Sequence, residues 1–269
     1  MRSLPLHLAL LLSLSAGSSC GFSPDEIDGS VPTGHATALT TFESTSLVIP
    51  MDTTYQPTAI LRAFGLVNRL LENGVKVYWI VNPAKAVGGT DITATTRDLA
   101  GGATSSKTYR GGPFVIDAAG TAAATPIITQ WRSEDQAAGV SQTIVHVATV
   151  SFSGEVARTL VAAPRIGAFA DGQELVAFDY FNAARIRESN GAAWPTRKAS
   201  SYPGHPDVLS EAQVAGATTS GGADGVLLDA TGHPTFCQLT SMHYSNPNSE
   251  VVREVRMWLQ KKPTHAFME

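Results

Sequence analysis

The side chains best suited to carry chemistry are Ser151 and His243. Ser151 stands in Thr149-Val150-Ser151-Phe152-Ser153-Gly154, between an apolar run over 143–150 and a segment, 155–163, read as a helix. A strand that turns sharply into a helix lifts a side chain above the sheet, with helix amides close enough to hold an oxyanion. The G-x-S-x-G spacing is absent, and Ser153 suits an ordinary helix N-cap. His243 follows the run 235–241 and precedes the closing helix, a place from which an imidazole can activate a hydroxyl. Asp52 or Glu155 would orient that base. Asp52, Thr53, Asp117 and Thr149 each lie at or just beyond the end of an apolar run and are expected to touch a ligand. His146 falls within a run and reads as a satisfied core histidine. No H-E-x-x-H or C-x-x-C spacing offers a metal site, and neither G-x-G-x-x-G nor G-x-x-x-x-G-K-[ST] occurs. No metal and no cofactor are expected.

The elements that would position these residues begin with a strand over 47–51. A helix follows, with Pro57 in its first turn and Ile60, Leu61, Phe64, Val67, Leu70 and Leu71 at helical spacing. Asn73-Gly74 ends it, and a second apolar run covers 75–81. Runs apolar throughout predict strands covered on both faces, and a βαβ opening predicts parallel neighbours. The section 85–107 reads as an insertion with a hairpin strand at 92–96 and a turn at Gly101-Gly102. Further strands are expected at 113–116, 143–150 and 165–170, and helices at 122–131, 155–163 and 173–184. Residues 187–223 are irregular apart from a short helix, 210–214. A hairpin over 225–241 and a helix capped by Ser249, burying Val251, Val252, Val255, Trp258 and Leu259, close the chain. The sum is an α/β, three-layer α/β/α sandwich on a mostly parallel, flavodoxin-like sheet with a β-hairpin insertion. Its strand ends should share one rim.

Residues 1–20 read as a signal peptide: Arg2, an apolar stretch over 4–14, small residues, then Cys20. Cys20 directly after small residues is the candidate lipidation site, which would leave Cys237 unpaired as a small buried hydrophobe. Residues 21–45 read as a flexible tether and 46–269 as one α/β domain. A net charge of −4 and the lack of a basic stripe argue against nucleic acid. Contact with a membrane is expected through the lipid anchor only.

The strand–turn–Ser151–helix order, and Gln238-Leu239-Thr240-Ser241-Met242-His243 before a last helix, resemble the class I glutamine amidotransferase-like superfamily. Gly111-Gly112-Pro113 looks like its oxyanion loop. The family's nucleophile is cysteine where this chain has Ser151, and its glutamate two residues beyond the histidine is Ser245 here. The chain is also similar to exported bacterial proteins of no assigned activity. The resemblance implies an amidotransferase-like fold without glutamine hydrolysis. The expectation is an exported, extracytoplasmic, lipid-anchored or secreted binding or scaffold module for a small molecule, a glycan or a protein. The alternative is a secreted serine hydrolase using Ser151 and His243. Tyr55, Trp79 and Trp194 are the aromatic candidates for holding a sugar.

Overall fold

Two sheets, one antiparallel and one parallel, form the architecture of the computed structural model, which describes residues 38–217, 224–261 and, as backbone, 265–268. The first sheet carries β1 (Ala38–Phe42), β2 (Leu47–Ile49), β3 (Val77–Ile80), β4 (Ile92–Asp98), β5 (Ser105–Tyr109), β6 (Phe114–Ile116), β7 (His146–Ala148) and β8 (Phe152–Leu160). Its order is β1-β8-β3-β6-β2-β7-β4-β5, and every pairing is antiparallel. Helices α1 (Ile60–Glu72) and α2 (Thr121–Ala137) cover one face.

The predicted βαβ unit exists, but β6 is inserted between β2 and β3, antiparallel to both. Leu47, Ile49, Phe114 and Ile116 face the helices, while Val48 and Val115 face the other way. Among the described residues, that second face meets no helix layer. The sheet curls into a half-barrel and buries it against itself: a Cβ on Gly154 of β8 would lie 2.8 Å from Ile92 Cγ2 of β4. Phe42, Ile80, Ile92, Phe152 and Val156 fill the concave side. Both-faces burial was therefore correctly expected, and its cause was not.

The second sheet consists of β9 (Ile166–Phe169), β10 (Val208–Leu209), β11 (Gln238–Ser241) and β12 (His265–Met268), ordered β10-β9-β11-β12 and parallel throughout. Helix α3 (Glu174–Ala184) follows β9, α4 (Glu211–Ala215) follows β10 and α5 (Ser249–Leu259) follows β11. Ser210 closes a reciprocal cap with Gln213 at α4. The single mostly parallel sandwich is thus overturned: among the described residues, parallel pairing is confined to these four strands.

Four local expectations also change. The predicted helix 155–163 is strand β8, whose Phe152, Gly154 and Val156 alternate inward. The stretch 38–42, assigned to the tether, is β1 and pairs with β8. The hairpin over 225–241 reduces to one bridge, Leu228 with Pro234, and α5 is capped by Asn248, with Val252 and Leu259 exposed. The hairpin over 92–109 does form, but as β4 and β5 within the sheet. Cys237 is buried as expected and is disulfide-bonded. Cys20, the sequence's only other cysteine, lies outside the described residues with the rest of the leader and residues 21–37.

Candidate functional site

The strand ends do not share a rim. Asp52 and Thr53 follow β2 at one edge of the half-barrel. Asp117 follows β6, which runs the opposite way, so it sits at the other edge, where Tyr78 donates to its Oδ2 at 3.0 Å. Thr149 and Ser151 lie at that same far edge: β7 is antiparallel to β2, and Thr45, ahead of β2, donates its N–H to Ala148 O. His243 belongs to the other sheet, beyond β11. Its N–H, with Met242 N–H and the Ser241 hydroxyl, donates to Asp171 Oδ2. Those hydrogen bonds hold the Asp171 carboxyl below the usual range against the opposing effect of burial. Asp171 thereby ties the end of β9 to the end of β11. No hydrogen bond among the described residues joins Ser151 to His243, and β8 replaces the helix that Ser151 needed for an oxyanion site.

The edge at Asp52 is the richer one. Asp52 Oδ1 accepts from Thr54 N at 2.9 Å and Oδ2 from Arg110 N at 3.1 Å, pinning the loop after β2 to the loop before β6. That second loop passes through Gly111 and Gly112, both at φ +72°. A Cβ at Gly111 would stand 2.6 Å from Met51 O, and one at Gly112 2.4 Å from Trp79 Nε1. Only glycine combines that backbone conformation with those approaches. The absence of a side chain at Gly112 lets the pyrrole edge of the Trp79 indole lie against this loop.

Trp79 is 40% exposed although its neighbours in β3 include fully buried Val77 and Ile80. It stacks on Phe114 at a centroid distance of 6.4 Å, and Phe64 of α1 meets Phe114 edge-on at 6.1 Å. Phe64 is 46% exposed and Phe114 only 7%. Phe114 is therefore the anchor, and Trp79 and Phe64 are the outward platform, with Asp52, Thr53 and Arg110 beyond the glycines. Trp194 is buried, packed on Phe178 and Phe181, and is no part of a surface site.

Behind Asp52 lies a polar chain inside the half-barrel. The Tyr109 hydroxyl shares hydrogen bonds with Thr96 Oγ1 (2.7 Å) and His146 Nδ1 (2.8 Å). Tyr55 covers it, its ring 5.2 Å from His146 and 5.3 Å from Tyr109. Burial, helped by Lys107, lowers the His146 pKa to about 4, so the imidazole is neutral near pH 7. Burial pushes the Tyr109 phenol well above its ordinary value, and that of Tyr55 upward as well. Covered and satisfied, this chain fixes β5 against β7; it is the core histidine that the sequence suggested, with Tyr109 as the partner that the sequence did not name. No cluster of metal-ligating side chains occurs among the described residues.

Comparison with protein-family models, curated proteins and solved structures finds no match to this chain.

Proposed function

We propose that the chain is an exported binding module of the cell envelope that receives a pyranose ring of a glycan on the Trp79 platform. The observation that carries this is the exposed Trp79–Phe64 surface, anchored on Phe114 and joined through Gly112 and Gly111 to the loop that Asp52 holds at Arg110 N. The C–H face of a sugar packs on an aromatic face, and a half-exposed carboxylate with lone pairs to spare accepts its hydroxyls. The hydrolase reading has no such support, because Ser151 and His243 stand on different sheets.

Of the four tryptophans, Trp131, Trp194 and Trp258 are buried, so a change in indole emission on adding sugar reports Trp79. Titration with chitotetraose and cellotetraose should give saturable quenching with at least one, weakened about 10-fold or more, roughly 1.4 kcal/mol, in Trp79→Ala. Absence of binding to either sugar, or equal binding by the variant, sinks the assignment.

Export rests on the leader pattern, and the oxidised Cys237 suits an oxidising compartment. Lipidation of Cys20 and a Cys20–Cys237 disulfide would use the same sulfur and exclude each other. Intact mass of the protein purified from its native envelope, before and after reduction, separates them. A diacylglycerol-sized increment indicates the anchor; a gain of about 2 Da on reduction indicates the disulfide. An uncleaved leader would count against export.

A further inference from the structure

A second cleft, of about 500 Å³, opens where the two sheets meet, between the C-terminal half of α1, the connector 163–166 into β9, and the loop after α3. Its size is that of a small-molecule site, and junctions between packed units are where such sites concentrate. Three arginines and three carboxylates line it: Arg69, Arg165 and Arg187 against Glu72, Glu188 and Asp207. Net charge is balanced, so the question is which hydrogen-bonding groups are still available.

The buried acceptors are largely occupied. Glu188, whose side chain is fully buried, receives His205 Nδ1 on Oε1 at 2.5 Å and Asp207 N on Oε2 at 3.3 Å. Asp207 Oδ1 takes Arg165 through Nε (3.0 Å) and Nη2 (2.9 Å), together with the Ser189 hydroxyl, while Oδ2 takes Ser189 N. Arg165 is thereby committed, and it is also held over the Phe236 ring. Arg69 reaches Glu72 and Glu134 only at 3.8 Å each, and its guanidinium lies over the Trp131 ring. Arg187 has no ion pair or hydrogen bond among the described residues. Glu72 Oε1 accepts from Asn68 Nδ2 at 2.7 Å, so the least engaged charged group of the lining is the Arg187 guanidinium, whose planar fork matches an oxyanion.

We propose that this cleft is a second binding site, for a small molecule carrying a carboxylate or phosphate, received by Arg187 with Arg69 beside it. It is independent of the glycan platform, sharing no residue with it. Arg187 is exposed, so Arg187→Ala should leave the fold intact, which circular dichroism checks. Calorimetric titration of the whole chain at low ionic strength with sodium citrate, and separately with sodium phosphate, is expected to show saturable binding. Arg187→Ala should weaken it about 10-fold or more and Arg187→Lys by less, since Lys keeps the charge but not the fork. Raising salt to about 0.5 M should weaken it further. Binding of citrate alone identifies a carboxylate site, and of phosphate alone a phosphate site. No saturable heat with either anion, or binding by Arg187→Ala equal to that of the parent, overturns the proposal. Chitotetraose and cellotetraose titrations of the same samples keep failure here distinct from failure of the glycan reading.

Discussion

His146 shows what one buried side chain can impose on the whole fold. Its imidazole has a pKa of about 4 in the folded protein and about 6.5 when unfolded, so the unfolded chain binds its proton first as pH falls. The stability it contributes is fully present above about pH 6.5 and is lost progressively down to about pH 4. Between pH 7 and pH 5 the linkage amounts to about 2 kcal/mol. Urea unfolding at the two pH values should show that loss, and replacing His146 with glutamine should flatten the slope even if it lowers stability at pH 7. A parent protein equally stable at both would refute the assignment. At this scale the sequence was partly legible. His146 was readable because a histidine within an apolar run must be satisfied. Asp52 was readable as a polar residue at a strand end. Trp79 and Trp194 were not distinguishable, because each sits among mixed neighbours; register and the Phe178–Phe181 cage expose one and bury the other.

Elements were legible where amphipathic spacing was unambiguous, as in α1 and α5, and failed where pairing decided. Residues 155–160 contain Glu155, Ala157, Arg158 and Leu160, good helix formers, yet β1 and β3 flank them on both sides and hold them extended. The inward alternation of Phe152, Gly154 and Val156 was the available signal, obscured because a glycine stood at its centre. Another glycine governs how the helices meet. A Cβ on Gly65 of α1 would fall 1.6 Å from Ala184 O at the end of α3, with the Trp131 ring also within 3.0 Å. α1 and α3 therefore touch backbone to side-chain-free backbone. Gly65→Ala must push the helices apart or deform α1, and should cost about 3 kcal/mol. Chemical denaturation measures this; a variant within 0.5 kcal/mol of the parent, about the scatter of a neutral surface change, would show that the contact yields easily.

The molecule as a whole departs from the expected sandwich for one reason. Apolar-throughout strands announce two covered faces, but not what covers the second, and here the antiparallel sheet covers its own. Its other face is left to α1 and α2, and that layer also joins the second sheet. Asp135 of α2 is fully buried and receives Arg62 Nη1 at 2.7 Å, Thr143 N at 3.1 Å, and Arg185 Nη1 at 3.2 Å. Arg185 caps α3, which packs on the parallel sheet, so this ion pair crosses the junction. Arg185 also donates through Nη2 to Glu134 O and lies over the Trp131 ring. Burial disfavours its charge, lowering its pKa against the pull of Asp135 and Glu134. Removing the carboxylate charge would leave two arginines facing one another in a confined space. Asp135→Asn keeps the shape and should cost about 3 kcal/mol, the lower end of what breaking a buried pair costs. Because the clasp spans both sheets, Asp135→Asn and Arg185→Ala should not be additive. A double-mutant cycle should give a coupling of about 1 kcal/mol or more, whereas additivity within about 0.5 kcal/mol would mean that the sheets are held together by helix packing alone.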